Sequence, residues 1–346
     1  MKLYNTQSNI CFDDILLVPK ASDVISRRDV DLSMSIGFDS RKIDLYLPII
    51  AAPMDTVCES DAALVMAQYG GLGIIHRFAK DAEQNWHVNE VASRKFMVGA
   101  AVGVSNTQSV LPKVESLIIS GARVILVDAA NGHNVLTVNT VREIRRAFPD
   151  VHIMSGNVST WDGFLALSAA GADSIRVGIG GGSMCTTRIA TGHGMPTLSS
   201  IMEVYEMQER LNLPTSIIAD GGIRNSGDAT KAFAAGADAV MLGNALAAHN
   251  ESPGKVVERD GKSYKVVRGM ASEEVQKAYG KTNYVEGVST EKLLRGSLGD
   301  TLDKFRAGIS SGCSYSGTYS LSDLQLFSEF IKVTTNSVKE SNAHGL

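Results

Sequence analysis

Three stretches of the 346-residue chain spell nearly the same phrase: ISGARVILVD at 119–128, AAGADSIRVG at 169–178 and AAGADAVMLG at 234–243. In each, a glycine follows a run of helical period, and an apolar, β-branched run begins within three residues. Glycine takes the left-handed conformation that ends a helix at little cost, so the phrase reads as one helix-to-strand turn used three times. Repeated turns of this kind belong to chains in which crossover helices join parallel strands.

The rest of the chain extends the pattern. Strand-like runs lie at Leu47–Ala52, Leu72–His76, Met97–Gly103, Arg123–Asp128, Val151–Ser155, Ser174–Gly178, Ser216–Asp220 and Ala239–Leu242. Amphipathic segments lie between them at Asp61–Gln68, Val110–Ile119, Val135–Ala147, Gly163–Ala170, Ser199–Leu211 and Gly227–Ala235. An open doubly wound sheet alternates in the same way, but eight evenly spaced units favour a closed (β/α)8 barrel. The expected architecture is therefore α/β, with residues 1–346 forming a single (β/α)8 barrel domain. Phe78 to Lys95 reads as a short linker, with no domain inserted there. Beyond Asn250 a polar hairpin turns at Asp260-Gly261, and a mobile flap over about 269–290 covers the barrel mouth. Glu291–Ile309 reads as a closing helix, and 333–346 as a frayed polar tail.

Composition removes several classes of function. Lys and Arg total 33 against 37 Asp and Glu, a net charge of -4, which argues against nucleic acid or an anionic membrane as the main partner. Four cysteines without a CxxC pair make neither a disulfide framework nor a cysteine zinc site, so a reducing, cytoplasmic setting is expected. The N-terminus lacks the apolar stretch of a signal peptide. Phe96 to Val104, the longest apolar run, is about half of a membrane span.

In a barrel of this kind the chemistry sits on the loops that follow the strands. GIGGGSMCTTR, Gly178 to Arg188, is the strongest local signal there. Clustered glycines let the backbone present N–H or C=O groups to an ion or a phosphate, although glycines also serve merely to clear space. Cys185 lies inside this loop beside Thr186-Thr187-Arg188, neighbours that offer hydrogen-bond donors and a positive charge to favour a thiolate nucleophile. Cys11, Cys58 and Cys313 read as core residues. The loops IADGGI and MLGN occupy the usual barrel phosphate position, where the amides of Gly222, Gly243 and Asn244 suit a phosphate. Asp220 repels phosphate but accepts from two ribose hydroxyls, and this pairing points to a ribonucleoside 5'-monophosphate. No HExxH is present, and His249-Asn250-Glu251 lacks the downstream cysteines of a zinc deaminase.

Taken together, FDDILLVPK, APMDTV, VGIGGGSMCTTR, ADGGIRNSGD, AVMLGN and RGMASE resemble the IMP dehydrogenase/GMP reductase family from about Phe12 to Gly317. The resemblance implies a barrel that assembles as a homotetramer, with Cys185 attacking C2 of a purine nucleoside monophosphate. It implies that Thr187 and Glu286 handle the protons. The carbonyls of Gly180, Gly182 and Cys185 would hold a monovalent cation, typically potassium. Met54, Ser183, Asp220, Gly221, Gly222, Gly243, Asn244, Gly269, Met270, Ala271, Tyr284 and Gly287 would contact the nucleotide.

Within that family the residues lean toward the reductase branch, which implies NADPH-dependent reductive deamination of GMP to IMP. Asp128-Ala129-Ala130-Asn131-Gly132 matches the reductase D-x-A-N-G, which with Arg77 would face the cofactor. Ser26-Arg27 would reach the cofactor's 2'-phosphate from a neighbouring subunit. The dehydrogenase's Arg-Tyr pair is missing, since Tyr284 follows Asn283 and no arginine occurs from Gly269 to Glu291. Other positions depart from the reductase pattern: Gly181 replaces a customary proline, Pro53 and Arg268 are nearer the dehydrogenase, and the reductase's flap arginine is absent. An IMP dehydrogenase with an atypical flap is the same-class alternative, and a non-catalytic nucleotide-binding regulator the different-class one.

Overall fold

The computed structural model describes residues 9–278 and 285–341. Eight parallel strands close into a barrel in chain order: β1 Ile49–Ala51, β2 Leu72–Ile75, β3 Gly99–Val102, β4 Val124–Asp128, β5 His152–Val158, β6 Ser174–Val177, β7 Ser216–Asp220 and β8 Ala239–Leu242. The helices that follow them are α1 Ser60–Gln68, α2 Asp81–Ala92, α3 Leu111–Ile119, α4 Val135–Ala147, α5 Trp161–Ala170, α6 Thr197–Leu211, α7 Ser226–Ala234 and α8 Leu298–Tyr315. The three repeated turns carry glycines at φ +106° (Gly121), +104° (Gly171) and +108° (Gly236), the left-handed stop that the phrase demands.

Strand composition follows from burial on both faces. Ile50, Leu72, Ile74, Val124, Leu126, Ile218 and Met241 fill the barrel interior. Their chain neighbours Ile49, Ile75, Ile125, Val127, Ile217 and Val240 point outward and pack under the helices. Alternating side chains thus serve two cores at once, which is why the strands are mostly apolar. An N-terminal hairpin, Met34–Ile36 paired with Ile43–Leu45, adds Ile36, Ile43 and Leu45 to the interior core. Gly37 N–H donates to Ser216 Oγ at the start of β7 (3.0 Å), so the hairpin plugs the amino end of the barrel. Chemistry is left to the opposite end.

Several expectations change. Phe78 to Lys95 is no linker but carries α2, whose inward face mixes the core residues Val88 and Val91 with two polar ones: Gln84 donates to the Ala101 carbonyl (2.8 Å) and His87 bonds Ser60 Oγ (3.1 Å). The polar hairpin exists as β9 Val256–Arg259 and β10 Lys262–Arg268, but a third strand, β11 Ser289–Leu293, joins it. The closing helix therefore begins at Leu298, where Ser297 Oγ caps it, and not at Glu291. Lys265 on β10 is buried and donates to the carbonyls of His249, Asn250 and Ser252, anchoring this sheet to the barrel rim. In the expected flap, Glu273–Ala278 is helical. The C-terminal segment is ordered by pairing of Phe330–Lys332 with Ile15–Leu17, and Thr335–Glu340 forms a helix where fraying was expected. Cys58 and Cys313 are buried as expected, but Cys11 is exposed. Among the described residues no helix is long and apolar enough to cross a membrane.

Two of the repeated turns share a further device. Asp173 and Asp238 each accept a hydrogen bond from the preceding strand, from Ile153 N–H and Ile217 N–H, both at 2.7 Å. Asp173 also holds Arg41 and Arg145, whereas Asp238 has no arginine partner among the described residues. Burial, with help from Glu209, pushes the Asp238 carboxyl up to about 7. A raised carboxyl contributes stability that is complete below its unfolded value and is lost as the pH rises through about 7. Asp238→Asn is therefore expected to raise Tm by a few degrees near pH 8 and to change it little near pH 4, measured by thermal denaturation. An equal change at both pH values would contradict this account.

Candidate active site

The loop after β6 presents Cys185, and the flap docks on it through the backbone. Thr186 N–H donates to the Glu286 carbonyl (2.8 Å), and Val288 N–H donates to the Met184 carbonyl (3.1 Å). These two bonds make Cys185 and Gly287 an antiparallel bridge pair. Behind the flap edge, Glu286 N–H donates to the Ala271 carbonyl (3.0 Å) and Gly269 N–H to the Val288 carbonyl (3.0 Å). Glycine at 287 eases the approach: a Cβ there would sit tightly, 3.1 Å from Ser272 N and 3.3 Å from the Met184 carbonyl oxygen.

That register delivers the chemistry. The Cys185 thiol donates to Thr187 Oγ1 (3.1 Å), and the Thr187 hydroxyl donates to Glu286 Oε2 (2.7 Å). Thiol, hydroxyl and carboxylate thus form one line across 99 residues of sequence. A proton leaving sulfur has an acceptor through one hydroxyl, and the same line returns a proton to a leaving group. Arg188 takes a different role from the one expected. Its guanidinium donates to the Met195 carbonyl (2.7 Å) and, among the described residues, has no hydrogen bond to the thiol. The glycine at 181 has a local cause, because a Cβ there would overlap the buried hydroxyl of Thr197.

A chain of charges crosses the same end of the barrel. Arg77 Nε donates to Asp128 Oδ2 (3.0 Å), and Arg176 NH1 donates to Asp128 Oδ1 (2.7 Å). Arg176 also donates through Nε to Asp220 Oδ2 (3.0 Å) and lies within 2.8 Å of it through NH2. Asn157 Nδ2 adds a third donor to Asp220 Oδ2 (2.8 Å). Burial opposes ionisation of Asp128, but Arg176 and Arg77 outweigh it and hold the carboxyl below its ordinary range. Removing one member of such a buried chain strands its partner's charge, a cost of about 3–5 kcal/mol. The sequence alone assigns no role to Arg176 or Asn157. The available signal was a charged side chain in the middle of an otherwise apolar strand.

The remaining expected residues divide into groups. Asp220 Oδ1 accepts no hydrogen bond among the described residues and faces no competitor for a ligand hydroxyl. The N–H groups of Gly222 and Asn244 are likewise unpaired among the described residues, and Ser183 is exposed. Met54 lies against Gly243, and Met270 Sδ accepts from Asp55 N–H (3.4 Å). The Asn244 side chain takes a bond from Lys292 on β11. Tyr284 lies outside the described residues. In the loop after β4, Ala129 N–H donates to the Gly156 carbonyl (3.0 Å) and Gly132 N–H to the Asn157 carbonyl (2.7 Å), leaving Ala130 and Asn131 exposed. Ser26 caps the short helix Arg27–Asp29, and Tyr319 OH donates to the neighbouring Asp23 carbonyl (2.9 Å). That segment therefore lies with the C-terminal helices, across the barrel from the loop after β4. The carbonyls of Gly180 and Cys185 accept no hydrogen bond among the described residues, and that of Gly182 accepts one from Cys185 N–H. Three carbonyls on one glycine-rich loop with lone pairs to spare suit a hard monovalent cation. Among the described residues, no group of three or more His, Cys, Asp or Glu side chains could hold a metal.

Known proteins resemble the chain over nearly its whole length. The chain is 39% identical over 330 residues to GMP reductase 2 of Homo sapiens, covering 93% of this chain and 94% of that protein. It is 33% identical over 401 residues to the inosine-5'-monophosphate dehydrogenase of Borreliella burgdorferi, covering 98% and 97%. It also superposes, with a TM-score of 0.91 at 27% identity and 98% coverage of both chains, on a crystal structure from Trypanosoma brucei. That structure is of a cysteine-to-alanine variant of GMP reductase in complex with guanosine 5'-monophosphate. The model of the IMP dehydrogenase / GMP reductase domain matches residues 9–344, and the chain belongs to that family.

Proposed function

We propose that the protein is a GMP reductase, converting GMP to IMP and ammonia at the expense of NADPH, with the whole chain acting as one catalytic domain. The observation that carries this reading is the hydrogen-bonded line from Cys185 through Thr187 to Glu286.

In the first half-reaction Cys185 Sγ bonds to C2 of the guanine, and the thiol proton passes through Thr187 to Glu286. The C2–N bond then breaks, and the same pair returns a proton to the departing amine, which leaves as ammonia. A thioimidate on Cys185 remains. When bound, NADPH supplies a hydride to C2 and is oxidised to NADP+. The C2–S bond breaks as IMP forms, and Sγ recovers its electron pair. Throughout, the flap edge at 286–288 keeps the carboxylate against the hydroxyl and shields the thioimidate from water, whose attack would give the dehydrogenase product instead.

The binding roles are assigned on the family resemblance. The free Oδ1 of Asp220 accepts from the ribose, while Gly221, Gly222, Gly243, Asn244 and Ser183 surround the 5'-phosphate. Met54, Gly269, Met270, Ala271 and Gly287 enclose the base. Arg77 and the Asp128–Gly132 loop face the nicotinamide. Ser26 and Arg27 reach the 2'-phosphate of a neighbouring subunit's cofactor in a cytoplasmic homotetramer, and Arg27 is exposed. The carbonyls of Gly180, Gly182 and Cys185 would hold potassium, whose charge would steady the cysteine loop.

The direct test mixes the purified protein with GMP and NADPH. Loss of NADPH absorbance with stoichiometric ammonia release is expected. NADH formation from IMP and NAD+, with no GMP-dependent oxidation, would identify a dehydrogenase instead. Glu286→Gln keeps the shape of the flap and is expected to lower kcat by about 10²-fold while leaving the GMP KM nearly unchanged. Full turnover in that variant would contradict the proton line. Gly287→Ala, which lifts the flap by a fraction of an ångström, is expected to lower kcat by roughly ten-fold with little change in Tm. Unchanged kcat there would mean that flap register does not set the reaction.

A further inference from the structure

We propose that Arg176 is the positioning residue that ties nucleotide binding to cofactor binding. The proposal rests on the reading above, in which Asp220 faces the nucleotide and the Asp128 loop faces the cofactor. Arg176 sits on β6 between the two. Its single planar guanidinium holds Asp220 Oδ2 through Nε and NH2 and Asp128 Oδ1 through NH1. It is only 8% exposed, so water does little to weaken these bonds or to replace them.

Each carboxylate has a second partner: Asp220 on the oxygen that Arg176 holds, Asp128 on the opposite one. Asn157 Nδ2 donates to Asp220 Oδ2 and to the Gly178 carbonyl, both at 2.8 Å. Arg77 holds Asp128 Oδ2 and lies over the Phe78 ring, 4.4 Å from its centroid. A hydroxyl that bonds the open Oδ1 of Asp220 turns that carboxylate about an Oδ2 already shared with Arg176. The guanidinium is rigid, so a shift at Nε and NH2 is felt at NH1 and hence at Asp128. Among the described residues no other side chain bonds to both carboxylates. Lysine at 176 would keep the charge but lose the fork, since one ammonium nitrogen lacks the planar reach to hold both.

The test uses the full chain and a non-reacting pair of ligands, IMP and NADPH, followed by isothermal titration. For the wild type, IMP is expected to tighten NADPH binding by about five-fold or more, the range in which coupled sites fall. In Arg176→Lys that factor is expected to fall below about two, and each ligand alone to bind roughly ten-fold more weakly. Asp128→Asn, nearly isosteric, is expected to weaken IMP binding by roughly ten-fold with no cofactor present, an effect that a purely local cofactor contact would not produce. This second variant carries the test if Arg176→Lys does not fold. Absence of coupling in the wild type, its persistence in Arg176→Lys, or an Asp128→Asn protein with unchanged IMP affinity would each overturn the proposal. A wild type that binds neither ligand would overturn the proposed function with it, whereas binding of both without coupling would overturn the role of Arg176 alone.

Discussion

The site depends on two backbone hydrogen bonds between the flap and the cysteine loop. Thr186 N–H on the Glu286 carbonyl and Val288 N–H on the Met184 carbonyl fix the strand register in which Gly287 opposes Cys185. A slip of one residue would turn Glu286 to the other face of the flap edge and take its carboxylate away from Thr187. Main-chain pairing is well suited to this task, because it positions a side chain without using up that side chain's own polar atoms. Glu286 and Thr187 remain free to act on the thiol.

Beneath this line the barrel supplies a second ordering element, the alternation Arg77–Asp128–Arg176–Asp220. Two positive and two negative groups balance one another, which makes their burial at the barrel mouth tolerable. The fold places them without any loop rearrangement. Asp128 and Asp220 end β4 and β7, and Arg176 lies one residue before the end of β6. Side chains at the carboxyl ends of barrel strands converge on the axis. The flap therefore brings reactivity to a mouth whose charges are already in place.

Much of this was readable in the chain itself. Left-handed glycines at 121, 171 and 236 announce the helix-to-strand turns, and strands buried on both faces declare themselves by largely apolar runs. Elements with mixed faces were harder to see. Helix α2 buries Gln84 and His87, which bond to neighbouring elements, beside Val88 and Val91, so the apolar stripe on its inward face is broken. Strand β11 reads STEKL, a polar segment held by pairing with β10 and not by a core face. Cys185, Thr187 and Glu286 were named from the sequence, and the fold brings them into contact. Arg176 is not legible in the same way, because apolar character marks a strand, and a charged residue there acquires meaning only with Asp128 and Asp220 on either side of it. Arg188 shows the reverse case, since nearness in sequence to Cys185 suggested a contact that the turn at Gly192 directs toward Met195 instead.

The central claim is that sulfur at position 185 becomes bonded to the purine. Rapid acid quench of the protein with GMP in the absence of NADPH, followed by peptide mass mapping, tests it most directly. The account predicts a nucleotide adduct on the peptide carrying Cys185, formed together with one equivalent of ammonia and absent from Cys185→Ala. Ammonia release with that peptide unmodified, or an adduct on Cys11, Cys58 or Cys313, would contradict it.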